Sequence, residues 1–207
     1  MTTMTHTPEL EAMVRAILQH PGGHPWTIMG FGMIRCDIDG RDFRLNIWDR
    51  RFQTINVSTI HDHPWTLESL VMSGCVENVL YEDAGHAHDS DKKHYGVTIQ
   101  PGPEANQIRE PRKFKLDEIE RTRFTRGQGY IQSGDIIHES LYVTGTVTLI
   151  RRTNRQTEGT TGDAAKVFWP ASHGEKWVDA RPQACTVEKV LDACSVALAR
   201  WGEEEPH

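Results

Sequence analysis

Ser58-Thr59-Ile60-His61-Asp62-His63-Pro64-Trp65-Thr66-Leu67-Glu68-Ser69-Leu70-Val71-Met72-Ser73-Gly74 is the stretch on which the reading of this chain turns. In a β-strand alternate side chains point to one face. His61 and His63 therefore project together, and Asp62 points the other way. Two imidazoles so placed can hold one divalent cation if another strand supplies a third ligand. Glu68 stands five residues after His63. A turn at Pro64 would let the next strand bring that carboxylate back toward the same ion. Glu68 then has two candidate roles: a fourth ligand, or a base hydrogen-bonded to substrate.

The third imidazole is expected from Tyr130-Ile131-Gln132-Ser133-Gly134-Asp135-Ile136-Ile137-His138. A strand runs into a Ser-Gly-Asp turn, and the chain re-enters the sheet at His138. Ile136, Ile137 and Leu141 would bury the approach. A buried neutral histidine needs a partner on each nitrogen, and a metal on one with an acceptor on the other satisfies both.

Outward from these segments, residues 27–152 read as the barrel core: short strands separated by turns. Phe43, Leu45 and Ile47 alternate with polar residues, as do Ile55, Val57 and Thr59. Strands are also expected at 67–72, 76–81, 95–99, 114–119, 129–132 and 146–150, with turns at Asp39-Gly40, Ser73-Gly74 and Ser133-Gly134. Many short strands at near-regular spacing indicate a sandwich or barrel, so the class is all-β. A helix is predicted over 8–20, with Leu10, Met13, Val14 and Ile17 on one face. A second is predicted over 186–202, where Thr186 caps and Val187, Val190, Leu191, Cys194, Leu198 and Trp201 share a face. The aromatic segments at Phe168-Trp169 and Trp177 are expected to fold back on the barrel. The whole of 1–207 is read as one domain.

Composition narrows the function. Lys and Arg number 23 and Asp and Glu 29, so the formal charge is 23 − 29 = −6. That disfavours nucleic acid as a partner. The basic residues between Arg109 and Arg126 are interleaved with acids and read as solvated surface. None of Cys36, Cys75, Cys185 and Cys194 forms a Cys-x-x-Cys pair. The first residues lack the apolar segment of a secretory signal, and no run of about 18 apolar residues offers a membrane span. The expectation is a cytoplasmic protein with reduced thiols. His86, His88 and His94 lie in an Asp-rich stretch and read as a solvated loop.

His-x-His-x4-Glu-x5-Gly, followed about sixty residues later by Ser-Gly-Asp-x-x-His, resembles the paired motifs of the cupin superfamily. The first motif is one residue short between Glu68 and Gly74, and Gln132 and Ser133 stand where the second usually carries a proline. The resemblance implies a single jelly-roll barrel with His61, His63 and His138 as metal ligands. Imidazole suits iron, zinc and nickel, and a carboxylate adds manganese. Fe(II) is the favoured ion, with Mn, Ni or Zn as alternatives. Within the superfamily, Ile60-His61-Asp62-His63 and Tyr130-Ile131 are similar to thiol dioxygenases of the cysteine dioxygenase type. In those proteins an arginine upstream of the paired histidines holds the substrate carboxylate. Arg35 stands at about that distance, with Arg44 as a competitor on the adjacent strand. Tyr130 is the candidate proton donor, and Trp65 the candidate wall against which a small-molecule substrate stacks. The family's Ser-His-Tyr relay is not matched: Thr148, Ile150 and Arg152 occupy the corresponding strand. Glu68 occupies the position of the cross-linking cysteine. The function expected is a non-heme Fe(II) dioxygenase for a small carboxylate- or thiol-bearing metabolite. The alternatives are a redox-neutral isomerase, epimerase or lyase, and a non-catalytic binding module. A homodimer is expected from fold analogy.

Overall fold

The computed structural model describes residues 4–38, 43–54, 57–85, 88, 91–99, 111–153, 165–174 and 183–203. Among the described residues, fourteen strands and two α-helices follow the order α1 (Pro8–Gln19), β1 (Trp26–Met29), β2 (Phe31–Ile38), β3 (Phe43–Gln53), β4 (Ile60–His61), β5 (Thr66–Ser73), β6 (Cys75–Asp83), β7 (His94–Ile99), β8 (Arg112–Phe114), β9 (Leu116–Thr125), β10 (Gly129–Gln132), β11 (Ile137–Tyr142), β12 (Thr146–Thr153), β13 (Ala165–Pro170), β14 (Gln183–Ala184) and α2 (Val187–Glu203). They form two seven-stranded antiparallel sheets. The first is ordered β10-β5-β12-β3-β2-β1-β14 and the second β8-β7-β13-β4-β11-β6-β9. From β10 to β13 every connection crosses from one sheet to the other, as does each step from β4 through β6. That alternation is the arrangement of a jelly-roll barrel.

The first sheet is covered on both faces. On its outer face Leu45, Ile47, Leu70, Met72, Val147 and Leu149 pack against Val14, Ile17 and Leu18 of α1 and against Val190, Ala193, Cys194, Ala197 and Trp201 of α2. The main hydrophobic core thus lies between sheet and helices, outside the barrel. The inner face is free to carry polar side chains. Trp201 is fully buried, with the guanidinium of Arg15 4.7 Å and that of Arg126 5.7 Å from its ring centroid.

Both helices form where expected. Thr7 caps α1, its hydroxyl accepting from the Leu10 amide at 3.3 Å, and Thr186 accepts from the Lys189 amide at 3.4 Å. The apolar face of α2 is narrower than predicted. Val187 is 70 % and Leu191 50 % exposed, because Ala193 and Ala197, not these two, complete the contact with the sheet. Val57 to Thr59 is not a strand; β3 ends at Gln53 and β4 begins at Ile60. Ile55, Asp39-Gly40, His86 and Trp177 lie outside the described residues. Gly74, in the β5–β6 turn, has φ +81°, and a Cβ there would lie 2.8 Å from the Thr146 backbone. Only glycine suits that turn. The segment around Arg121 is solvated as expected, with Arg121 bridging Glu77 and Glu118.

Truncating Trp201 to Ala should lower unfolding free energy by about 3–5 kcal/mol. Truncating Val187 or Leu191 should change it by no more than about 0.5 kcal/mol. Denaturant titration of the three variants checks this; comparable losses at all three sites would contradict the packing described.

Candidate metal centre

The pairing of β4 with β11 sets His138 directly opposite His61. His63 follows two residues after His61 and keeps the same inward phase. The three rings form a triangle, with centroids 4.7 Å (His61–His63), 4.8 Å (His61–His138) and 4.9 Å (His63–His138) apart. One ring nitrogen of each lies within 4.8 Å of the others, which makes the cluster a candidate metal site. The Nδ1 of His61 stands 2.9 Å from the Thr59 carbonyl, and that of His138 3.2 Å from the Ile136 carbonyl. A carbonyl oxygen only accepts, so each Nδ1 carries the proton and donates. Each Nε2 is left with its lone pair for a cation.

Electrostatics keeps the rings in the ligating form. Burial pushes all three imidazoles below the ordinary 6.5. His63 lies well below it, lowered further by His61, His138, Arg44 and Arg35. His138 is brought down to about 3 by burial and by His61. Three neutral imidazoles on one side of an ion leave its other positions open to ligands from the cavity.

That cavity, of about 80 Å³, lies inside the barrel. Phe31, Met33 and Trp48 give it an apolar end, and Phe31 reaches His61 with ring centroids 5.5 Å apart. Arg35, Arg44 and Trp65 form the other end, where Trp65 stacks on His63 at 6.2 Å. Ser69, Tyr130, Gln132 and Ser140 add a polar wall. Burial pushes the Tyr130 phenol up, with the Ser69 and Ser140 hydroxyls acting weakly against it. Its ring stacks on Phe124 at 4.5 Å.

The structure therefore brings together His61, His63, His138, Arg35, Arg44, Trp65 and Tyr130. It does not bring Glu68 to them. Leu67 and Ser69 line the cavity, so their neighbour points outward. Glu68 is 4 % exposed. It accepts from Arg151 Nε at 2.7 Å and from the Met4 amide. Neither a fourth ligand nor a base at the ion is available from it. The reason is that the inward phase of His61 and His63 continues through Trp65, Leu67 and Ser69 without the inversion that the expected turn at Pro64 required. Asp62 points away from the cavity as anticipated and accepts from the Lys166 amide at 2.5 Å, tying β4 to β13. His88 is exposed, and His94 lies in β7 away from the cluster. Phe168 and Trp169 are 1 % and 2 % exposed, so this aromatic segment folds back on the barrel as expected.

Asn46, Gln132, Ser69 and Ser140 were not anticipated as site residues. Their signal was positional: Asn46 shares the phase of Arg44, Ser69 that of His63, and Ser140 that of His138. Arg44 also meets the Asp37 carboxylate at 2.9 Å while lining the cavity.

No protein-family model matches the chain, and no curated protein matches it. Among solved structures similar to it is the Drosophila melanogaster CENP-C cupin domain. It has 13 % sequence identity and a TM-score of 0.28, over 72 % of this chain and all of that one. Among the described residues no helix is long and apolar enough to cross a membrane.

Replacing His138 by Ala should weaken binding of a divalent ion by at least about 100-fold, beyond the ~10–100-fold cost of losing a supporting partner. Metal titration followed by elemental analysis reads this; unchanged affinity would remove His138 from the ligand set. For the metal-free protein the sign of the pH effect follows from the lowered values. The unfolded chain binds protons near 6.5 that the folded chain refuses, down to about 3 at His138. Stability should therefore fall as pH drops below about 6.5, by up to ~1.4 kcal/mol per pH unit for one group. His138→Gln should flatten that slope in thermal melts at pH 4 to 7; an unchanged slope would contradict the assignment.

Proposed function

We propose that this chain is a metal-dependent cupin enzyme, a non-heme Fe(II) dioxygenase acting on a small carboxylate- or thiol-bearing metabolite. The observation that carries the reading is the joining, in one cavity, of three neutral imidazoles with two guanidinium groups. Bound there, Fe(II) would supply oxygen activation through the positions its three protein ligands leave open. Mn, Ni and Zn suit the same donors, so the ion is part of the proposal.

The chain's own residues divide the remaining work. Arg35 and Arg44 bind and orient the substrate carboxylate by charge-assisted hydrogen bonds. Trp65 forms the wall beside them. Tyr130, with its phenol pushed up, stays protonated at neutral pH and offers its hydroxyl proton to an oxygen atom of the reacting group. Phe31, Met33 and Trp48 exclude water from the opposite end. Among the described lining residues the imidazoles are committed to the ion, while Tyr130, Arg35 and Arg44 hold their protons. A carbon acid entering this cavity meets no ready base. That favours oxygen chemistry over a redox-neutral isomerase or epimerase.

Protein reconstituted with Fe(II) should consume oxygen only in the presence of a substrate acid, measured at an oxygen electrode during a metabolite screen. His138→Ala should abolish the uptake. Tyr130→Phe should lower kcat by about 100-fold while leaving KM within a fewfold, as expected for a proton donor. Equal turnover under anaerobic conditions, or with Zn in place of iron, would contradict the dioxygenase reading.

A further inference from the structure

The basic end of the cavity carries polar atoms that the fold itself leaves unanswered. Asn46, on β3, lies directly opposite Arg35 on β2. It is 5 % exposed, and its Nδ2 donates to Thr148 Oγ1 at 3.4 Å. Its Oδ1 is buried and has no hydrogen-bond partner. Trp65 Nε1, a donor, is likewise buried without a partner. Both residues line the cavity. An unmet buried acceptor is destabilising, and a ligand group of the opposite kind relieves that cost on binding. One end of the cavity thus asks for an anion, at Arg35 and the Trp65 indole. Beside it, at Asn46, it asks for a hydrogen-bond donor.

A hydroxyl and an ammonium would both donate to Asn46. Charge separates them. The Arg35 guanidinium is lowered to about 10 by burial and by the nearby charges of Arg44 and Arg152, with Asp37 opposing. An ammonium opposite Arg35 would add another cation to this group, whereas a hydroxyl adds none. The size of the cavity limits the rest. At about 80 Å³, with one water-sized group taking about 10–15 Å³, it holds roughly six non-hydrogen atoms.

We infer that the site selects a small 2-hydroxycarboxylate over the matching 2-amino acid, with the carboxylate on Arg35 and the hydroxyl donating to Asn46 Oδ1. This rests on the reading of the cavity as a substrate site and names the substrate class for it. Asn46 is then the residue that sets specificity, and Arg35 the one that sets affinity.

The test is calorimetric titration of chelator-treated, metal-free protein with lactate, alanine and propionate at neutral pH. Lactate should bind at least about 10-fold more tightly than either of the others. Arg35→Met should remove lactate binding. Asn46→Asp, which places an anion opposite Arg35, should reverse the order and favour alanine. Alanine binding as tightly as lactate to the wild type would overturn the inference, as would lactate no tighter than propionate. The wild-type ranking needs no variant, so it decides the matter even if Asn46→Asp fails to fold. Because no metal is present, failure here leaves oxygen uptake by the iron-loaded protein untouched. Loss of that uptake would leave this ranking untouched in turn.

Discussion

Two backbone carbonyls, those of Thr59 and Ile136, decide what the histidine cluster can do. Each lies just before a strand and engages the Nδ1 of the imidazole two residues further along the chain. Each therefore fixes the tautomer and leaves Nε2 with its lone pair. Burial then keeps all three rings unprotonated. Without these two contacts the rings could carry their protons on either nitrogen, and the cluster would be three polar groups in a partly closed barrel. With them, two of the three rings have a fixed tautomer and an Nε2 lone pair ready to ligate.

The barrel can devote its interior to such a face because its stability is supplied elsewhere. Aliphatic side chains on the outer face of the first sheet pack under α1 and α2, with Trp201 fully enclosed. The inner face of the same strands carries Arg35, Arg44, Asn46 and Ser69. Alternation along each strand thus assigns one phase to packing and the other to chemistry. A substitution in one phase is expected to report mainly on stability, and one in the other mainly on binding.

Much of this was legible in the sequence because period-two alternation is read without knowing the fold. His61 and His63 shared a face on that ground alone, and a Ser-Gly-Asp turn marked His138. Arg35, Arg44, Trp65 and Tyr130 also fall where the expected cavity lies. Glu68 was misread for a physical reason. Pro64 looked like a point where the phase would invert, yet 61, 63, 65, 67 and 69 stay in step, and residue 68 faces away from the cavity, where it pairs with Arg151 and the Met4 amide. Asn46 was missed because an asparagine flanked by Leu45 and Ile47 carries no motif; its role comes from lying opposite Arg35 in a register that only the folded sheet defines. The exposed Val187 and Leu191 reflect the same limit. A helical wheel gives the apolar side of α2 but not how much of it the sheet covers.

The central claim is that three imidazoles, from β4, the segment after it and β11, hold one ion. X-ray absorption spectroscopy on iron-loaded protein tests it most directly. The account predicts a first shell with three imidazole nitrogens at about 2.0–2.2 Å, close to the distances common for such ligands, and the loss of one of them in His138→Ala. A shell with fewer than three imidazoles, or one that keeps its imidazole count in that variant, would contradict it.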